Sequence, residues 1–199
     1  MKRICVFCGS SPGARPEYLE AANRLGRLLA SKNIGLVYGG GNVGIMGQIA
    51  RTVQEANGEI IGVIPRALAE KEVAFTELSD LRVVVSMHQR KAMMVDLSDG
   101  FIALPGGLGT IEEFFEVLTW SQLSIHTKPC GLLNVCHYYD KLMAFLDHTV
   151  TEQFIEPEHR ATVMIDEDPE VLLQKFEVYQ APRVDKAKWA LRLAGNYRV

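Results

Sequence analysis

The sequence predicts a single-domain α/β fold, built as a doubly wound parallel sheet with helices on both faces. Short β-branched runs alternate along the chain with segments of helical periodicity. The runs are apolar almost throughout, as in parallel strands that are covered on both faces. The 199 residues contain no internal repeat, low-complexity segment or linker that would separate two domains. This alternation is typical of β-α-β units in one sheet.

Six strands are predicted from these runs: Ile4 to Cys8, Ile34 to Tyr38, Ile60 to Ile64, Leu81 to Val85, Gly100 to Leu104 and Gly131 to Val135. The first helix is expected to begin at Pro16, because proline suits the first helical position. Its apolar positions should face the sheet, and they are Leu19, Ala22, Leu25 and Leu29. After about Thr151 the pattern weakens into charged helical pieces. Residues 1–182 are expected to form the domain, and residues 183–199 a peripheral helix or tail.

Composition and charge disfavour several classes of function. The formal net charge is −3, from 21 Lys and Arg against 24 Asp and Glu, and no stretch concentrates the basic residues. Binding to a nucleic-acid backbone is therefore disfavoured. The apolar runs fall far short of the ~20 residues of a membrane helix, and glycines end the first run before a secretory signal could form. We expect a cytoplasmic protein with neither a membrane nor a nucleic-acid partner.

The cysteines and histidines lack the spacing of a metal site or of a disulfide framework. Cys5 and Cys8 do form a C-x-x-C, but both lie in the predicted strand Ile4 to Cys8. Their odd separation directs them to opposite faces of the sheet. We therefore expect both cysteines to be structural.

Glycine-rich, polar or basic segments follow four of the predicted strands: Cys8 to Ser11, Gly39 to Gly44, Ser86 to Lys91 and Pro105 to Thr110. In open parallel sheets, ligands bind outside the carboxyl ends of the strands. These segments are therefore expected to meet at one edge of the sheet and to form the site. From the first two segments, the residues expected to bind substrate are Gly9, Ser10, Gly40 and Gly41.

The loop after the fifth strand, P-G-G-L-G-T from Pro105 to Thr110, predicts a phosphate-binding site. Glycines let a backbone approach a ligand closely, and the start of the following helix offers free N–H groups and a positive dipole end. An alternative is a tight turn in which Thr110 caps the helix and Glu113 completes a capping box. That alternative does not explain three glycines and a proline in six residues, so we favour the anion site.

The run Gly39-x-Gly41-x-x-Gly44 matches the dinucleotide-binding fingerprint formally. It follows the second strand rather than the first, and the next strand ends without the acidic residue that would bind a ribose hydroxyl. We expect it to shape the pocket wall. A P-loop motif is absent from the sequence, so a P-loop nucleotidase is unsupported.

Arg90 and Lys91 are predicted in the first turns of a helix that ends near Ser98. Cations at this end oppose the helix dipole, so an anionic partner should compensate them. Beside a phosphate-binding loop we favour a phosphate or carboxylate clamp over two solvated side chains. The role of His88 stays open among capping the helix, lining the pocket and donating a proton, with a structural role favoured.

The motif Pro105-Gly106-Gly107-x-Gly109-Thr110-x-x-Glu113, with Met87-His88-x-Arg90-Lys91 upstream, resembles the LONELY GUY (LOG) family. Its members are cytokinin-activating phosphoribohydrolases, often mislabelled lysine decarboxylases, and the similarity extends from about Ile4 to Leu146. The resemblance implies a Rossmann-like fold, homodimers or assemblies of dimers, and hydrolysis of N6-substituted AMP or AMP to free base and ribose 5-phosphate. It implies that Arg90 and Glu113 are catalytic. The substrate-binding residues that it implies are Glu72, Lys91, Gly106, Gly107, Leu108, Gly109, Thr110, Ile111, Glu112 and Thr119.

These residue types suit that chemistry. Cleaving the bond to the base builds positive charge on the ribose, which the carboxylate of Glu113 can stabilise while it orients the attacking water. Arg90 is a poor proton donor at neutral pH, so it is expected to act by hydrogen bonding. The loop amides, with Lys91 assisting, would hold the 5′-phosphate. No metal or organic cofactor is expected.

Two other functions are alternatives to this hydrolysis. The first is a non-catalytic carrier of a nucleotide or of the molybdenum cofactor with the same fold, in which Glu113 would only cap a helix. The second is lysine decarboxylation, which needs a lysine that forms a Schiff base with pyridoxal phosphate and an acidic partner for the pyridinium nitrogen. The sequence shows no lysine in such a context.

Overall fold

A parallel sheet organises the computed structural model, which describes residues 1–70 and 74–182. Its seven strands within these residues are Arg3–Phe7 (β1), Gly35–Tyr38 (β2), Ile60–Pro65 (β3), Leu81–Val84 (β4), Gly100–Ala103 (β5), Cys130–Leu133 (β6) and Val163–Asp166 (β7). The strand order is β4-β3-β2-β1-β5-β6-β7, and every neighbouring pair is parallel. The direction of winding reverses between β1 and β5, which is where open sheets of this class bind ligands.

The helices that connect these strands are Pro16–Ser31 (α1), Gly44–Glu55 (α2), Arg66–Leu68 (α3), Met87–Asp96 (α4), Leu108–Gln122 (α5), Asp140–Thr151 (α6), Pro157–Arg160 (α7) and Pro169–Glu177 (α8). A short 3-10 helix, Val135–His137, precedes α6. The buried side chains of α1, α2 and α8 share one core cluster, and those of α4, α5 and α6 share another. Helices therefore cover both faces of the sheet.

Alternation along each strand divides the core between these two faces. In β1, Ile4 and Val6 pack on the α1 side, whereas Cys5 and Phe7 pack on the α5 side. Cys8, just beyond the strand, joins the α1 side. The prediction that Cys5 and Cys8 point to opposite faces is confirmed, and both thiols are buried and free.

The predicted fold class is confirmed. Each of the six predicted strands is present within two residues of its expected ends, and α1 begins at Pro16. Helix α4 ends at Asp96, two residues before Ser98. The predicted peripheral segment 183–199 lies outside the described residues.

Strand β7 was not predicted, because its sequence was assigned to helical pieces. It has four residues, lies at the edge of the sheet and buries only Val163 completely. Its apolar run has only three residues, Val163 to Ile165, with acidic residues directly after it, and such a run gives a weak signal for a strand. In the part of the chain that the structure describes, no helix is both long enough and apolar enough to cross a membrane.

Candidate active site

The loops that follow β1, β2 and β5 are joined through the backbone of Gly9. The Gly9 N–H donates to the carbonyl of Pro105 at 3.1 Å, and the Gly9 carbonyl accepts from the N–H of Ile45, also at 3.1 Å. Gly44 adopts φ of +58°, and a Cβ there would overlap the backbone of Ser10. Glycine is therefore required at position 44 for both reasons. As predicted, these strand-end segments meet at one edge of the sheet.

The start of α5 presents free backbone amides at this edge. Gly107 is the N-cap residue, so the amides of Leu108, Gly109 and Thr110 belong to the first turn, which has no intrahelical acceptors for them. A Cβ on Gly107 or Gly109 would meet no atom within 4 Å. These two glycines are therefore not demanded by packing, and the space beside them is open to a ligand.

The alternative prediction for the loop after β5, a capping box with Thr110 at the N-cap and Glu113 three residues later, is wrong. Thr110 lies at the third helical position rather than at the N-cap, it is buried, and Glu113 lies in the second turn. Gly106 explains part of this arrangement, since a Cβ there would overlap the Thr110 side chain and approach the Gly9 nitrogen to 2.8 Å. The side chain of Thr110 is thus packed beneath the loop, and the glycines belong to the amide-lined site.

Arg90 and Glu113 form a buried ion pair between α4 and α5. The Arg90 Nη1 donates to Glu113 Oε1, and the two residues are only 8% and 9% exposed. Arg90 Nε also donates to the carbonyl of Val63 at 3.0 Å, which ties the guanidinium to β3. Burial raises the pKa of the Glu113 carboxyl above its ordinary value of 4.5, and the nearby Arg90 charge opposes that rise.

Lys91 is also paired, as the helix-dipole argument predicted. Its Nζ donates to Glu112 at 2.7 Å and lies 3.0 Å from a carboxylate oxygen of Glu116. The hydrogen bond to Glu112 raises the pKa of the ammonium group. The anions that compensate the two cations of α4 are therefore carboxylates of α5, and Lys91 reaches a phosphate only by exchanging one of them.

A cleft of about 290 Å³ opens beside the free amides, between the loops that follow β1 and β5. Its lining residues are Gly9, Ser10, Ser11, Gly13, Tyr18, Ile45, Pro105, Gly106, Gly107 and Tyr138. The Tyr138 hydroxyl donates to the Gly106 carbonyl at 2.7 Å, and the Tyr18 and Tyr138 rings meet edge to face at 5.8 Å. Sequence reasoning missed both tyrosines, because they come from α1 and from the segment before α6 and no local motif marks them.

The two glycines expected from the second loop, Gly40 and Gly41, are buried. Gly40 adopts φ of +74° and accepts from the Phe75 N–H at 2.9 Å, while Gly41 pairs with Ala74 in an isolated antiparallel bridge. The loop after β2 is thus held against the segment that leads to β4. Neither glycine is among the residues that line the cleft, so a role for this loop in the pocket wall stays a prediction.

The sequence predicts substrate binding by Thr119 and Glu72, and it favours a structural role for His88. Thr119 is nine positions beyond Thr110, about 14 Å along the helix axis, and its hydroxyl donates to the Phe115 carbonyl at 2.8 Å. His88 is exposed, and helix α4 is capped instead by Ser86, whose hydroxyl accepts from the Gln89 N–H at 3.1 Å. Glu72 lies outside the described residues. Among residues 1–70 and 74–182, no group of three Cys, His, Asp or Glu side chains is placed to hold a metal ion.

Comparisons with known proteins identify the family of this chain. A family model described as "Possible lysine decarboxylase" matches residues 46–176. The chain is 50% identical over 185 residues to the cytokinin riboside 5′-monophosphate phosphoribohydrolase LOG1 of Arabidopsis thaliana, covering 93% of this chain and 86% of the relative. It is 48% identical to LOG7 of the same plant, which carries the same enzyme name, covering 93% and 85%.

Solved structures of lower identity share the fold. A molybdenum cofactor binding protein from Rippkaea orientalis is similar with a TM-score of 0.67 and 27% identity, covering 89% of this chain and 96% of that one. The molybdenum cofactor carrier protein of Chlamydomonas reinhardtii is similar with a TM-score of 0.66 and 20% identity, covering 89% and 99%. The identity to the plant enzymes over most of both chains decides the family. The chain therefore belongs to the LOG family of cytokinin riboside 5′-monophosphate phosphoribohydrolases.

Proposed function

We propose that the protein hydrolyses the N-glycosidic bond of adenosine 5′-monophosphates, including N6-substituted ones, to a free purine base and ribose 5-phosphate. The observation that carries the proposal is the buried Arg90–Glu113 pair, which lies one turn beyond the free amides of α5. The positions from Leu108 to Glu113 span about 8 Å along the helix axis. That spacing suits a phosphate at the helix start and a sugar ring near the carboxylate.

The phosphate is held by the amides of the first turn of α5. The helix dipole favours an anion there, and the open space beside Gly107 and Gly109 lets phosphate oxygens approach the backbone. Binding at the phosphate supplies energy remote from the bond that breaks. A nucleoside without the phosphate loses this contribution and is expected to be a poor substrate.

Glu113 and Arg90 act on the sugar and the base. As the bond breaks, the ribose gains positive charge, which the carboxylate stabilises while it orients or deprotonates the attacking water. Arg90 keeps that carboxylate ionised by its charge and offers hydrogen bonds to the electron-rich leaving base. A guanidinium is too weak an acid to supply the proton.

The description of the family model is a poor guide to this site. Decarboxylation with pyridoxal phosphate requires a lysine that is free to form a Schiff base. Lys91 is held by Glu112 and Glu116, and these hydrogen bonds raise its pKa and favour the charged, non-nucleophilic form. The site is better suited to bind a phosphate ester.

A second candidate is a carrier that binds the molybdenum cofactor without chemistry. The similarity in fold to the Rippkaea orientalis protein at 27% identity favours it. The same amide-lined cleft could hold the phosphate of a pterin. A carrier, however, breaks no bond, so it would have no use for the buried Arg90–Glu113 pair next to its phosphate site.

The test is to incubate the protein with AMP, N6-isopentenyl-AMP, adenosine and a second nucleoside monophosphate, and to quantify free base by chromatography. Glu113→Gln should lower turnover by about 100-fold or more, because it removes the catalytic carboxylate. Glu55→Gln, an exposed carboxylate at the far end of α2, is the matched control and should turn over like the wild type.

Base release from the monophosphates and not from adenosine would support a phosphate-dependent nucleosidase and rank its preference for N6 substituents. Near wild-type turnover by Glu113→Gln would refute the role of that residue. No release from any substrate, with a pterin retained on the purified protein, would favour the carrier.

We further propose that the protein is a cytoplasmic homodimer or an assembly of dimers that acts on a small nucleotide. Exposed apolar side chains after α5, Leu123 and Ile125, are consistent with a contact between subunits. Light scattering of the purified protein should give at least twice the chain mass of 22.1 kDa. A mass equal to one chain at micromolar concentration would contradict the dimer.

A further inference from the structure

Gly39, the first residue after β2, is buried and has an ordinary backbone conformation, with φ outside the left-handed region. Its lack of a side chain is therefore not explained by backbone freedom. A Cβ at this position would fall on the Nη2 atom of Arg90, and it would lie 3.4 Å from the Arg90 Cζ and 3.2 Å from the Met46 sulfur. The guanidinium thus occupies the space that any other residue at position 39 would fill.

Two further contacts hold the guanidinium over Gly39. Arg90 Nε donates to the Val63 carbonyl at 3.0 Å, and Nη1 donates to Glu113. The group is therefore bound on one side by β3, on another by α5, and rests on the backbone that leaves β2. It is also almost completely buried, with 8% of the residue exposed, so these contacts restrain it within the protein.

We propose that Gly39 is a positioning residue for Arg90: it admits the guanidinium to the end of β2 and so keeps it against Glu113. A methyl group at position 39 displaces Nη2 and with it the hydrogen bond to Glu113. The buried carboxyl then loses its cation, its pKa rises further, and a smaller fraction is ionised. The effect on turnover rests on the proposed roles of Arg90 and Glu113, whereas the effect on Glu113 ionisation does not.

The neighbouring Met46 offers a competing explanation. Its sulfur lies 3.2 Å from the added Cβ, so glycine could be required only to make room for Met46. A methionine side chain is flexible and adapts to small changes in packing. A clash with Met46 would also leave the ionisation of Glu113 unchanged, which separates the two explanations.

The experiment uses the full chain with Gly39→Ala and measures kcat and KM for AMP, together with the pH titration of Glu113 by carboxyl NMR. We expect kcat to fall by about 10- to 100-fold with a smaller change in KM, and the Glu113 titration to move to higher pH. Gly100→Ala is the matched control, because its Cβ would also be tight, at 3.1 Å from Ile4 and Phe176, but in β5 on the far side of the sheet. It should leave kcat and the Glu113 titration unchanged.

A double-mutant cycle tests whether Gly39 acts through the arginine. In an Arg90→Gln background, Gly39→Ala should change kcat by less than about twofold, because the group that it displaces is gone. If Gly39→Ala alone folds poorly, combining it with Arg90→Lys should restore the melting temperature to that of Arg90→Lys, since lysine has no Nη2.

Unchanged kcat and an unchanged Glu113 titration in a folded Gly39→Ala protein would overturn the inference. So would an equal loss of stability in the Arg90→Lys background, which would assign the clash to Met46. If the wild type releases no base, the proposed function fails, and the titration of Glu113 still decides the role of Gly39.

Discussion

In the buried ion pair of Arg90 and Glu113, each charge depends on the other for compensation. Removing one partner from a buried ion pair typically costs about 3–5 kcal/mol, because the other charge is left without compensation. An apolar pair of similar volume would often stabilise a fold equally well. Stability alone therefore does not explain why two charged residues are buried here. The catalytic role proposed for them does.

The pH profile of the reaction should report the Glu113 carboxyl. Burial raises its pKa above 4.5, and only the ionised form can stabilise a positively charged ribose. Activity should therefore fall as the pH decreases through this raised pKa, with an acid limb above the pH at which an exposed glutamate titrates. Measuring kcat/KM for AMP across the acidic range checks this expectation.

The residual activity of Glu113→Gln provides the control for that assignment. Glutamine does not titrate, so the acid limb should be absent from the profile of this variant. An acid limb that persists unchanged would assign the titration to another group or to the substrate phosphate.

At the scale of one element, α5 joins the proposed phosphate site to Glu113, a member of the proposed catalytic pair. Its first turn supplies amides and its second turn supplies Glu113, so a single rigid helix sets the distance between them. The sequence predicted the glycine loop and the helix, but one alternative placed the helix start three residues too late, with Thr110 rather than Gly107 as the N-cap. Tertiary packing of Thr110 under Gly106 decides the start.

Gly109→Ala should separate stability from binding. Alanine favours a helix over glycine by about 0.5–1 kcal/mol, and a Cβ at this position meets no atom, so the free energy of unfolding in urea should rise by up to that amount. The same methyl would occupy the space where phosphate oxygens approach the amides. We expect KM for AMP to rise by about 10-fold or more.

Gly106→Ala is the contrasting variant for the same loop. Its Cβ would overlap the Thr110 side chain, so it should lower the free energy of unfolding rather than raise it. If Gly109→Ala left KM unchanged, the phosphate would have to bind elsewhere than at the start of α5.

At the scale of the whole molecule, the last described helix, α8, closes the core over the sheet. It buries Leu172, Leu173 and Phe176 on the α1 side. The Phe176 ring lies against Gly100 and Gly131, where a Cβ would approach it to 3.1 and 2.9 Å. Glycines in β5 and β6 therefore make room for a ring that belongs to the last described helix.

Phe176→Ala should lower the free energy of unfolding by about 3–5 kcal/mol, because it leaves a cavity between α8 and the sheet. Urea denaturation checks this value. Val178→Ala, just beyond the same helix and 77% exposed, should change stability by less than about 0.5 kcal/mol. KM for AMP should be unchanged in both folded variants, since neither residue lines the cleft. A loss below about 1 kcal/mol in Phe176→Ala would show that α8 is not part of the cooperative core.

The sequence by itself determined the succession of the first six strands along the chain, the doubly wound class and the strand-end segments in which the site is proposed. Each of these depends on local patterns: apolar runs indicate buried strands, and glycines before a helix indicate close backbone approach. The edge strand β7 was missed because an apolar run of three residues followed by acidic ones carries too little of such a pattern.

Only the tertiary structure decided which site residues meet. Arg90 and Glu113 are 23 positions apart, and Gly39 precedes Arg90 by a whole β-α-β segment. The two tyrosines that line the cleft come from different helical segments. Such contacts depend on the strand order and on how α4 and α5 pack against the same face of the sheet. These are through-space relations between distant segments, which local periodicity does not encode.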